Sequence, residues 1–179
     1  VKPATTLVLV LLAPLFLVAC GGDDDDAGDG TFDREEFPFT FSYPDGFEET
    51  DDVTIDQALG AQADETVGVM LDEQNGIFVQ SFTLNIAVDE SNIDLAKDEI
   101  DRLLQAAGPG IETEVTEVAG LPALEVPEFD VPTQEGARTR LIAIFDEEQE
   151  YYLNCQWTPA EEDAVTAACD EAVDTFALK

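Results

Sequence analysis

An α+β fold, a largely antiparallel sheet packed against two helices, follows from three observations. Stretches of apolar–polar alternation recur between residues 37 and 157 and are punctuated by turn residues, the pattern of half-buried strands. Two segments, 93–107 and 158–176, instead carry apolar residues at the 3.6-residue period of amphipathic helices. Once residues 1–19 and a polar tether after them are set aside, roughly 140 residues remain. That is one domain, large enough to bury close to 70% of its unfolded surface.

The leader reads as a targeting segment. Lys2 supplies a positive start, Leu7–Val18 an apolar run of about a dozen residues, and Leu17-Val18-Ala19-Cys20-Gly21 has the form of a lipobox. The run falls short of the roughly 20 apolar residues a spanning helix needs, and Pro14 interrupts it. Residues 1–19 are therefore expected to be a lipoprotein signal peptide. Cleavage would leave Cys20 as the lipidation site, its thiol bearing diacylglyceryl and its amine an acyl chain such as palmitate. Each buried methylene contributes about 0.8 kcal/mol, and two or more chains anchor stably.

Residues 20–36 are dense in charge and nearly free of apolar groups. They are expected to form an acidic disordered tether. The Asp23–Asp26 run does not make an EF-hand loop, because Ala27 and Arg34 stand where oxygen ligands are required. No metal or cofactor is expected.

The folded domain is expected over 37–179. Phe37, Phe39, Phe41 and Tyr43 alternate with small or polar residues, giving a half-buried strand, and Pro44-Asp45-Gly46 turns it. A short helix near Ile55–Leu59 is possible from the pattern. Val67, Val69 and Leu71 lead through an Asn75-Gly76 hairpin turn to Phe78–Ile86. Ser91-Asn92 caps a helix whose stripe is Ile93, Ala96, Ile100, Leu103, Leu104 and Ala107, ended by Gly108-Pro109-Gly110. Ile111–Val118 and Leu121–Val126 form a hairpin across Ala119-Gly120. Arg138–Phe145 and Tyr151–Trp157 form another across Asp146–Glu150. Thr158, Pro159 and Glu161 read as a capping box opening a final helix with Val165, Ala168, Cys169, Ala172, Val173 and Phe176 inward.

Cys155 and Cys169 remain after lipidation of Cys20, an even pair in an oxidising compartment. They lie where the final helix faces the preceding strand, so a disulfide is expected. A bridge closing a loop of about 15 residues contributes roughly 3 kcal/mol. The chain has no His to complete a zinc site.

FTFSYPDGFEE at 39–49 is similar to the opening strand and turn of PsbP-like domains. YYLNCQWTPAEEDAVTAACDEAVDTFAL at 151–178 resembles the closing strand and helix of LpqN-type lipoproteins of high-GC Gram-positive bacteria. VQSFTLNIAVDESNIDLAKDEIDRLL at 79–104 and VAGLPALEV at 118–126 extend the likeness over most of 37–179. The resemblance implies a PsbP-like α/β/α sandwich around an antiparallel sheet and a non-enzymatic binding or scaffolding role. The metal-binding His of the plant photosystem members has no counterpart here.

Charge and residue content narrow the function. Forty-one Asp and Glu against seven Lys and Arg give a net charge of −34. Such a surface repels nucleic acid, whose affinity rests on cation–phosphate contacts. It suits a cationic partner or a salty medium. Without His, neither a Ser–His–Asp nor a Cys–His arrangement can form. P-loop and dinucleotide-binding glycine patterns are also missing from the sequence. Arg138 and Arg140 share one strand face, placed either to pair with acids such as Glu125 and Glu128 or to bind an anion. Tyr151, Tyr152 and Trp157 suit the core or a ligand cleft.

The expectation is a non-enzymatic binding or adaptor module at the cell envelope. It would be held by its lipid on the outer face of the cell membrane, with an envelope protein or an amphiphile as partner. The alternative is a carboxylate-dependent hydrolase of envelope polymers.

Overall fold

Nine strands and two helices make up residues 30–53, 63–105, 110–131 and 134–179, the parts described by the computed structural model. The leader, Cys20, the first part of the tether, the Ile55–Leu59 helix and the Gly108-Pro109 stop lie outside the described residues. Strands β3 (Glu48–Thr50), β4 (Glu65–Met70), β5 (Gly76–Val88), β6 (Glu114–Val118), β7 (Leu121–Asp130) and β8 (Arg138–Trp157) form one antiparallel sheet in the order β3-β4-β5-β8-β7-β6. Strands β1 (Gly30–Phe32), β2 (Phe39–Tyr43) and β9 (Ala177–Leu178) form a small second sheet with β2 central. Helices α1 (Ile93–Leu104) and α2 (Glu162–Thr175) complete the α+β fold.

The long β8 contains the last expected hairpin. Its first half pairs with β7 and its second half with β5. Thr139 Oγ1 donates to Asn154 Oδ1 at 2.6 Å and lies 3.1 Å from the Cys155 carbonyl oxygen. In a straight strand residues this far apart in sequence would be separated by about 50 Å. The element therefore doubles back on itself, and Glu147, with φ of 56°, lies in the expected Asp146–Glu150 reversal. Ala119 (φ 53°) and Gly120 (φ 81°) make the two-residue β6–β7 turn that the sequence indicates.

Side-chain alternation divides the core in two. Val67, Val69, Ile77, Val79, Ile142, Ile144, Tyr151, Leu153, Cys155 and Trp157 face α2 and the small sheet. Leu124, Val126, Leu141, Ala143, Phe145 and Tyr152 face the other way and pack with Ile93 and Leu104 of α1.

Four expectations are corrected. The tether does not extend to residue 36: Gly30–Phe32 is a strand on β2, and Phe32 is fully buried, stacked on Phe41 at 4.7 Å. Burying one aromatic ring offsets the ordering of this otherwise polar segment. Asn75-Gly76 is not the hairpin turn. A longer loop is organised by Asp72, whose carboxylate accepts the Gln74 and Asn75 amides and the Asn75 side chain. Those hydrogen bonds hold Asp72 below the usual carboxylate range, although burial alone would raise it. Gly76 instead begins β5, where a Cβ would lie 2.6 Å from the Val69 carbonyl oxygen.

Neither expected side-chain cap forms. Asn92 Oδ1 accepts from Asp89 N rather than from its own helix. The Thr158 amide is taken by Asn75 Oδ1 at 2.6 Å, and the helix starts only after a turn closed by Glu161 N to Thr158 O. At α1 the Asn92 side chain is used in a local turn with Asp89 and Ala87, and at α2 a tertiary hydrogen bond from Thr158 to Asn75 takes the place of capping.

Candidate functional site

On the α2 face the expected site residues converge on structural work. Cys155 and Cys169 form a fully buried disulfide with Cα atoms 6.0 Å apart. The next residue of α2, Asp170, accepts from Arg140 Nη1 at 2.5 Å while Glu125 accepts from Arg140 Nε at 2.7 Å. Helix and sheet are thus joined covalently and ionically at adjacent positions. Arg138 pairs with Glu128 at 2.9 Å and approaches Asp130 at 3.8 Å. Both arginines lie on one side of β8, as the spacing implies, with carboxylates occupying their donors. This is the pairing alternative rather than an open anion site.

Around them the aromatic alternation of 37–43 becomes a continuous ring cluster. Phe39 stacks on Phe176 at 4.8 Å and tilts against Tyr151 at 4.9 Å. Phe37, Phe39, Phe41 and Trp157 are essentially inaccessible. These rings are core, not a cleft.

The α1 face is less complete. Glu150 and Tyr152 point to it from β8, and Glu150 stands directly across from Phe82 of β5. The Phe82 and Tyr152 rings meet edge to face with centroids 6.3 Å apart. Tyr152 is 8% exposed, and its buried hydroxyl has no hydrogen-bond partner. Such an unsatisfied group costs about 1–3 kcal/mol. Burial, with the Glu150 charge adding to it, pushes this phenol well above its ordinary value.

Glu150 itself is partly buried and raised to about 7 by burial. Among the described residues it has no hydrogen bond or ion pair. Beyond it, Leu84 is half-buried in the same cluster, Ile86 is 61% exposed, and Leu95 of α1 is 66% exposed. Sequence reading did not single out Glu150. The available signal was its place two residues before Tyr152 on a strand whose alternate residues are core.

What the arrangement offers chemically is hydrogen-bond acceptors beside aromatic and aliphatic surface. A carboxyl near 7 could also serve as a general acid. Glycoside hydrolysis, however, needs a second carboxylate about 5–9.5 Å away. Burial is the cause of the Glu150 shift, and no neighbouring carboxylate adds to it. Among the described residues, groups of acids able to hold a metal ion are also missing.

No protein-family model matches the sequence, and no curated protein sequence matches it. The fold does have solved counterparts. The chain is similar to the cyanobacterial PsbP protein, CyanoP, of Synechocystis, with a TM-score of 0.56 and 14% identity over 91% of this chain and 99% of that one. It is also similar to a Bacteroides thetaiotaomicron protein, with a TM-score of 0.54 and 12% identity over 86% of this chain and 49% of that one. The likeness establishes a PsbP-like fold.

Proposed function

We propose that the chain is an envelope lipoprotein of the LpqN type, anchored through Cys20 on the extracytoplasmic side of the membrane and acting as a non-catalytic binding or adaptor module. The observation that carries the binding role is the α1 face, where two polar groups lack partners beside apolar residues that reach the surface. The buried Cys155–Cys169 bridge supports an oxidising compartment, where such bonds persist. The lipobox supports the anchor. An accessory, non-enzymatic role accords with the PsbP-like fold. Burial alone, with no contribution from a second carboxylate, accounts for the raised Glu150 carboxyl, and this weighs against the hydrolase alternative.

Expression with labelled palmitate, followed by membrane fractionation, tests the anchor. The wild-type protein should carry label and sediment with membranes, whereas Cys20→Ser should lose the label and become soluble. Membrane retention of an unprocessed, unlabelled Cys20→Ser protein would replace the lipid anchor with an uncleaved segment.

A further inference from the structure

The described part of the chain has no cation left for Glu150. Lys2 lies outside it, and each of the other six Lys and Arg already holds a carboxylate or two. Arg34 pairs with Glu49 and Asp51, Lys97 with Asp101, and Arg102 with Glu99. Arg138 pairs with Glu128 and Asp130, Arg140 with Glu125 and Asp170, and Lys179 with Asp33. Glu49, Asp101 and Glu125 are partly buried and paired in this way, whereas Asp146, Glu161 and Glu162 are partly buried and, like Glu150, in no ion pair. Of these unpaired acids, Glu150 is the one whose carboxyl burial raises to about 7. Glu150 is a partly buried carboxylate with no such partner, and it sits beside the unpartnered, nine-tenths-buried Tyr152 hydroxyl.

Both groups can accept hydrogen bonds, and the edge-to-face Phe82–Tyr152 pair adds the aromatic surface that ammonium groups favour. Beyond Phe82 on β5, Leu84 packs partly buried on the same cluster and Ile86 is exposed, within the stretch where the β5–β8 register shifts. A polar, negative group next to an apolar stretch matches the two ends of one ligand. Resting on the binding-module reading, we infer that the Glu150–Tyr152 site takes a long-chain aliphatic amine, with the ammonium on Glu150 and Tyr152 and the chain along Phe82, Leu84 and Ile86. The net charge of −34 would raise the local concentration of such a cation.

The test is calorimetric titration of the soluble Cys20→Ser protein at pH 8 with dodecylammonium below its micellar concentration. Saturable one-to-one binding is expected. Glu150→Gln should weaken it at least tenfold, Tyr152→Phe should weaken it less, and the exposed control Glu148→Gln should leave it unchanged. Butylammonium should bind at least tenfold more weakly than dodecylammonium.

Equal loss in Glu148→Gln and Glu150→Gln would overturn the site in favour of diffuse attraction to the acidic surface. Equal binding of the short amine would remove the role of the apolar stretch, and equal binding of dodecyl maltoside would remove that of the charge. No binding at all would also overturn the assignment. None of these outcomes touches the anchoring reading, which fails only in the fractionation experiment.

Discussion

The two faces of the main sheet are built from the same strands yet end in different states. Towards α2, rings stack on rings, a disulfide bonds the helix to the sheet, and both arginines of β8 are neutralised, with the buried Trp157 indole N–H left without a partner. Towards α1, a phenol and a carboxyl remain without partners, and large apolar side chains reach solvent. Alternation along one strand creates both: Tyr151, Leu153, Cys155 and Trp157 go to the first face, Glu150 and Tyr152 to the second. One face is closed by rings, a disulfide and ion pairs, and the other carries the site proposed for recognition.

Breaking the closed face should have the largest effect. Phe32→Ala removes a fully buried ring from the Phe32–Phe37–Phe39–Phe41 cluster, and a loss of about 3–5 kcal/mol is expected in denaturant unfolding. A loss below about 1 kcal/mol would mean that β1 is not integral to the core. Next comes the bridge. Cys155→Ala with Cys169→Ala should lower stability by about 3 kcal/mol, and the unreduced wild-type protein should show the 155–169 link by mass spectrometry. Free thiols at both positions would dissolve the contrast between the faces.

The open face should respond least and in the opposite sense. A carboxyl raised from 4.5 to about 7 loses its proton later in the folded state than in the unfolded one. The unfolded chain then binds fewer protons between those values. The Glu150 contribution therefore falls as pH rises from about 4.5 to 7, and is constant above that. Glu150→Gln should be nearly neutral at pH 4 and stabilising by about 2 kcal/mol at pH 8, the full shift being discounted for partial exposure. The melting-temperature difference between variant and wild type, followed against pH, isolates this term from the other acids. A difference that does not change with pH would show Glu150 to be an ordinary solvated carboxylate.

How much of this was legible depends on whether local pattern or distant contact decides. The 37–43 strand, the Ala119-Gly120 hairpin and the buried stripe of α2 are local, and period and turn chemistry reveal them. β1 is not local. A three-residue strand with one aromatic, at the end of an acidic run, exists because β2 and the ring cluster receive it. The spacing of Phe32 and Phe37 was the available hint. The capping residues were misread for a related reason: Asn75 competes for the Thr158 amide from across the fold. Arg138 and Arg140 could be placed by strand parity, and their acids by neighbouring strands. Glu150 could not be distinguished by type among 41 acids, because what sets it apart is its burial on the α1 face near Tyr152.

The small sheet also fixes a geometry at the chain ends. β1 and β9 flank β2 on opposite sides, and Lys179 reaches Asp33 at 2.7 Å and the Arg34 carbonyl at 2.6 Å. Gly30–Arg34 and Lys179 thus share one pole of the domain. With the lipid on Cys20 as proposed, ten residue steps to Gly30 reach at most about 35 Å, on the order of the width of a small domain rather than the length of a long stalk. That pole is then the one held nearest the bilayer. A fluorophore attached at Lys179 would read its height above the lipid surface directly.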